Sequence, residues 1–145
     1  MSEYIHGTAI IWKETGILLL GESGCGKSSL AAELIQLGAS LIADDQVRLL
    51  KDGDRLYAEA PEALAGVLEL RDLALITLPY IARHALHLMV SLTTHDSRLT
   101  THEWLQTIPA ITLPPYRNDN AAKLALYAEA LQEGRVLPED WKPSA

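Results

Sequence analysis

The chain has 145 residues, 48% hydrophobic and 21% charged, which suits one folded domain with a real core and excludes a disordered segment. A net charge of −7 with no offsetting basic stripe argues against a nucleic-acid partner. The single cysteine, Cys25, excludes an intramolecular disulfide and points to a reducing compartment.

The first residues carry neither a basic stretch nor an apolar stretch of the kind a secretory leader needs. No apolar run nears the ~18 residues of a membrane span. The expectation is a cytoplasmic domain with no membrane contact.

Residues 4–12 read as a strand, because Ile5, Thr8, Ala9, Ile10, Ile11 and Trp12 are β-branched, aromatic or small. A polar turn over 13–16 leads to a second, apolar strand at 17–20. The pair predicts a hairpin with His6 near its far end. Next comes Gly21-Glu22-Ser23-Gly24-Cys25-Gly26-Lys27-Ser28, which matches the phosphate-loop pattern G-x-x-x-x-G-K-[ST]. A strand precedes it and a helix-forming segment, 28–37, follows it up to Gly38, and this is the context that pattern needs. Glycines let backbone N–H groups converge on phosphate oxygens, and the helix N-terminus adds partial positive charge. Lys27 would reach the β/γ-phosphates and the Ser28 hydroxyl would hold Mg²⁺. A bare strand-to-helix turn is the plainer alternative. Cys25 reads as a small residue filling its place in the loop, or else as a thiol made reactive by the helix end.

An apolar strand, 40–43, then ends in Asp44 and Asp45. In phosphate-loop proteins such a strand end handles the metal and the nucleophile. The pair could instead cap a turn. Residues 47–50 and 56–58 flank an Asp-Gly hairpin signal. Residues 60–66 read as a turn or short helical piece, with Pro61 suited to a first helical position. Across 67–78 the pattern alternates early and is apolar later; on a strand, Glu69 and Arg71 would share a face. Residues 86–92 predict another strand, 93–107 are polar and irregular, and 108–113 predict a short strand. A rigid turn over 114–120 leads to a final helix, 121–132, with Asn120 as its N-cap and Gly134 at its end. Residues 134–145 read as a C-terminal extension of a domain spanning 1–133. The five histidines, at 6, 84, 87, 95 and 102, show no recognised ligand spacing, so zinc is not expected.

In this order the pieces resemble the C-terminal catalytic domain of the HPr kinase/phosphorylase family, in a short form without the family's N-terminal domain. The resemblance rests on His6-Gly7, the loop 21–28, Leu41-Ile42-Ala43-Asp44-Asp45-Gln46-Val47, Ala60-Pro61-Glu62, Glu69-Leu70-Arg71-Asp72-Leu73 and Ile108-Pro109-Ala110-Ile111-Thr112-Leu113-Pro114. It covers roughly residues 6–130. It implies an α/β fold of the HPr kinase/PEP carboxykinase-like type, with a central mixed β-sheet and flanking helices. It also implies a kinase that uses ATP and Mg²⁺ on a serine of the phosphocarrier HPr, and phosphorolysis of that phosphoserine to pyrophosphate.

By the same resemblance, Lys27 would bind the transferred phosphate, and Ser28 and Glu69 would take Mg²⁺. Asp44 or Asp45, with Asp45 preferred, would be the base, oriented by His6. Arg71 would contact the phosphates or organise the site. Family members form hexamers; here a homo-oligomer is one open state. The signature E-I-R-G-L-G-I has Asp72 and Ala74 in place of its glycines. The segment between Leu78 and Leu86 is short. The basic, Gly-containing turn tied to dephosphorylation is replaced by residues 115–120, and Arg98 is the one counterpart in view for a downstream arginine. A kinase of the same fold for another acceptor, or an ATP- or phosphate-sensing binding module, are the alternatives.

Overall fold

The computed structural model describes residues 2–93 and 102–144. His95, Asp96 and Arg98 therefore lie outside the described residues. The centre is a five-stranded mixed sheet in the order β11-β10-β3-β2-β4, built from β2 (Thr8–Trp12), β3 (Thr15–Leu20), β4 (Ser40–Ala43), β10 (Leu88–Ser91) and β11 (Ala110–Thr112). β3 is buried along its whole length, so its apolar side chains serve both faces. Ile17 and Leu19 face one core, while Leu18 and Leu20 face the other.

The two described helices, α1 (Lys27–Gln36) and α2 (Asn120–Gln132), cover the Ile17 face together. Leu30 and Leu34 of α1 and Leu124 of α2 are buried there. Each contributes roughly 1.5–3 kcal/mol by leaving water. α2 is tied to the β2–β3 hairpin by Trp12 Nε1 donating to Glu129 Oε1 at 3.3 Å and Thr15 Oγ1 donating to Gln132 Oε1 at 2.9 Å. On the opposite face lies a four-stranded antiparallel sheet, β1-β5-β6-β9. Its strands are β1 (Ser2–His6), β5 (Gln46–Asp52), β6 (Arg55–Glu59) and β9 (His84–Ala85). Its Val47, Leu49, Leu56 and Ala58 pack on Ala9, Leu18 and Ile42 of the central sheet.

The strand expected over 4–12 is therefore two strands in two sheets. β1 pairs with β5, β2 pairs with β3 and β4, and Gly7 makes the crossing. The expected β2–β3 hairpin forms, with Trp12 opposite Thr15. β5 and β6 also form a hairpin, with Asp52 opposite Arg55. Residues 67–78 fold as a separate two-stranded hairpin, β7 (Val67–Leu70) and β8 (Ala74–Thr77), so Arg71 lies in the turn rather than on a strand beside Glu69. Residues 84–91 divide between β9 and β10. Pro61 stands just before a 3-10 turn at Glu62–Leu64 rather than inside it. Asn120 is the first residue of α2 and Asp119 occupies the cap position, with no side-chain cap bond. No helix of the described chain is long and apolar enough to cross a membrane.

Candidate functional site

Strand direction brings the site together. β10 and β11 run parallel to β3, while β2 runs antiparallel to both β3 and β4. The C-terminal ends of β3 and β4 and the N-terminal end of β2 thus meet at one edge of the sheet. Ligands of open α/β sheets bind at such an edge. From it emerge the glycine-rich loop, the two aspartates, and Thr8 with His6 just before it.

The loop 21–28 joins β3 to α1 as expected. Gly24 and Gly26 hold φ of 83° and 96°, backbone that side chains with a Cβ rarely adopt. Gly26 is the N-cap of α1, so the free N–H groups of the first helical turn open toward the cleft. Lys27 is buried, and its Nζ donates to the carbonyls of Gly21 at 2.7 Å and Glu22 at 3.1 Å. The buried Cys25 Sγ lies 3.8 Å from the same ammonium.

The two aspartates part company here. Asp44 is 4% exposed and takes hydrogen bonds from three directions. Thr8 Oγ1 donates to its Oδ1 at 2.9 Å, Ser28 Oγ donates to the same oxygen at 2.8 Å, and the backbone N–H of Glu69 donates to Oδ2 at 3.1 Å. Asp45, with φ of 71°, turns its side chain, 68% exposed, to solvent. Its Oδ1 lies 3.5 Å from His6 Nδ1, and His6 Nε2 lies 3.4 Å from Ser23 Oγ of the loop. A backbone bond, Gly7 N–H to the carbonyl of Asp45 at 3.1 Å, fixes the two segments together.

These side chains surround one cleft of about 420 Å³. His6, Lys27, Ser28, Asp44, Asp45, Glu69 and Arg71 all line it, with Ser23, Gly24 and Gly26 of the loop. Gly21, Glu22 and Cys25 do not line it; the first two face Lys27 through their carbonyls. Arg71 reaches in from the β7–β8 turn and donates to the carbonyl of Gly24 at 3.0 Å. The turn itself holds Asp72 at φ 63°, a conformation natural to glycine and one that aspartate tolerates. The Asp72 departure thus occupies the backbone shape a glycine would favour.

Thr8 escaped the sequence reading. A hydroxyl at a fully buried strand position requires a partner, but the pattern alone could not name Asp44. Ser29, which also lines the cleft, was missed as well. Among the described residues no group of three or more His, Cys, Asp or Glu side chains could hold a metal ion by itself. The cleft instead offers the Ser28 hydroxyl, held by Asp44, and the carboxylate of Glu69. This all-oxygen set suits a hard cation completed by substrate phosphates.

Residues 1–108 match the family model described as HPr Serine kinase C-terminal domain. Among similar curated proteins, an HPr kinase/phosphorylase of Caldanaerobacter subterraneus subsp. tengcongensis is 44% identical over 73 residues, 50% of this chain and 24% of that protein. One of Clostridium tetani is 41% identical over 75 residues, 52% of this chain and 25% of that protein. The chain thus spans about a quarter of the length of these relatives. In fold it is similar to a solved structure described as the Hpr(Ser) kinase/phosphatase from Coxiella burnetii. The TM-score is 0.77 at 21% identity, over 91% of this chain and 97% of that one.

Proposed function

The chain belongs to the HPr serine kinase C-terminal domain family, and from that membership we propose that it transfers the γ-phosphoryl group of ATP, with Mg²⁺, to a serine hydroxyl of an HPr-type phosphocarrier. The observation that carries the reading is the contrast between the aspartates. One carboxylate is buried against Ser28, and the next is exposed beside His6 in the same cleft as Lys27.

In this reading the loop N–H groups and Lys27 hold the β- and γ-phosphates; the Nζ bonds to Gly21 and Glu22 already point the ammonium along the loop. Ser28 and Glu69 would hold Mg²⁺, which would supply charge neutralisation at the phosphate oxygens. Asp44 fixes the Ser28 hydroxyl and the Glu69 backbone rather than acting as base, because three donors occupy its oxygens. Asp45 takes the proton from the serine oxygen as that oxygen bonds to phosphorus and ADP leaves. His6 positions the Asp45 carboxylate, and Arg71 steadies the loop at Gly24.

Run backwards with inorganic phosphate as the attacking group, protonated Asp45 returns its proton to the serine oxygen, releasing pyrophosphate. Most of the work in both directions is positioning and charge stabilisation.

The test is transfer of label from γ-labelled ATP to a purified HPr-type carrier with Mg²⁺. Wild type is compared with Lys27→Ala and Asp45→Asn. Label on a carrier serine, lost in both variants, supports the reading, and added phosphate then tests for pyrophosphate release. ATP binding without transfer would sink the HPr acceptor and favour a binding module.

A further inference from the structure

Resting on that nucleotide reading, we infer that the base of the nucleotide stacks on Tyr116, in a second cavity on the far side of Gly26 from the catalytic cleft. This cavity, about 220 Å³, shares Gly26 and Ser29 with the first, so the two open onto one rim at the N-terminus of α1. A phosphate chain held by the loop and leaving the cleft across that rim would carry its nucleoside into the next space.

The lining matches a base. Leu30 and Leu92 are buried apolar side chains, and Glu33, Arg117 and Asn118 are polar groups. A nucleobase has apolar faces and a polar edge, and its faces stack on aromatic rings.

Two features of the turn before α2 point to a ligand. Tyr116 is 67% exposed and holds φ of 60°, where a bulky side chain is a genuine outlier. Its ring stands so close to Gly26 that a Cβ there would meet Tyr116 Cε1 at 3.3 Å. Strain of this kind, spent on an aromatic ring held in solvent, marks a functional position. Asn120, 4% exposed, also lines the cavity. Its Nδ2 donates to the carbonyl of Pro114 at 2.7 Å and braces the turn, while its Oδ1 has no partner among the described residues. A buried acceptor left unmatched is costly, and a donor on a bound nucleoside would satisfy it.

The experiment is calorimetric titration of the full chain with ADP and with inorganic pyrophosphate, both with Mg²⁺, for wild type, Tyr116→Ala and Tyr116→Phe. The expected result is that wild type prefers ADP. Tyr116→Ala should weaken ADP about tenfold, as loss of one stacked base does, and leave pyrophosphate unchanged, while Tyr116→Phe keeps wild-type affinity for both. A 2-aminopurine analogue of ADP should also lose fluorescence on binding wild type, a stacking signature that needs no variant. ADP unchanged in Tyr116→Ala, or ADP and pyrophosphate weakened together, would overturn the subsite. Wild type holding pyrophosphate with no preference for ADP overturns the subsite while the phosphate reading stands. Wild type holding neither overturns both.

Discussion

At the end of β4 two carboxylates adjacent in the chain meet opposite surroundings. Asp44 is buried like the strand residues just before it and is enclosed by Thr8, Ser28 and the backbone of Glu69. At Asp45 the chain enters left-handed backbone, and the side chain swings out beside His6. A buried charge that is fully hydrogen-bonded is rigid and poorly placed to exchange protons with a visiting substrate. An exposed one on a fixed backbone is free to do so. The motif Ala-Asp-Asp therefore sets two unlike carboxylates side by side, and in the proposed reading one holds the site while the other does the chemistry.

The comparison breaks most clearly at Asp45. Asp45→Asn should lower phosphoryl transfer about 10²–10⁴-fold, the usual worth of a general base, with urea stability within about 0.5 kcal/mol of wild type. Asparagine tolerates the φ of 71° as aspartate does. Single-turnover transfer and a urea melt measure both. Unchanged transfer would return the base to Asp44.

Asp44→Ala should differ in costing about 2–4 kcal/mol of stability by stranding three donors. The urea midpoint reads it directly. If that midpoint does not move, the network around Asp44 is not holding the site.

A third aspartate sharpens the backbone part of the contrast. Asp72 also holds positive φ, but in an exposed turn. Asp72→Val should cost about 1–2 kcal/mol from left-handed strain alone, whereas Asp72→Gly should be neutral or stabilising in the same melts.

The smallest effect lies outside the cleft and separates proton chemistry there from general acid sensitivity. His87 accepts from the backbone N–H of Gly16 at 2.9 Å through Nδ1. Burial first, then His84 and Arg55, hold its pKa below the ordinary 6.5. As pH falls below 6.5 the unfolded chain takes up this proton before the folded one does. Stability should therefore decline as pH drops through that window and be flat above it. His87→Gln should reduce the decline in urea midpoints taken across that value; an unaltered decline would place the acid sensitivity elsewhere.

What could be read in the sequence was local. The loop, its strand and its helix carry their own signals, and the Asp-Gly signal marked the β5–β6 hairpin, whose two-residue turn is Gly53-Asp54. The break at Gly7 was not legible, because a run of strand-forming residues continues through it and the partners on either side come from elsewhere in the chain. The β7–β8 turn was hidden for a different reason: its left-handed position carries Asp72 rather than a glycine. Both aspartates were visible as site candidates. Their division of labour was not, since it depends on Thr8, Ser28 and Glu69 arriving from three other segments.

The crossing at Gly7 also sets where this protein can change in length. His6 belongs to one sheet, Thr8 to the other, and the residue between them is pinned to the Asp45 carbonyl. A Cβ at that residue would lie 3.1 Å from the carbonyl oxygen of Leu19 and 3.3 Å from Leu20 Cδ2. One inserted or deleted residue there would turn β1 over relative to β2 and carry the imidazole away from the carboxylate. The tip of the β5–β6 hairpin is crowded by no described residue within 4 Å of a Cβ added at Gly53, and its constraint is the glycine's own φ of 63°. Insertions, tags or whole modules belong at that tip, and the seam beside His6 must keep its count.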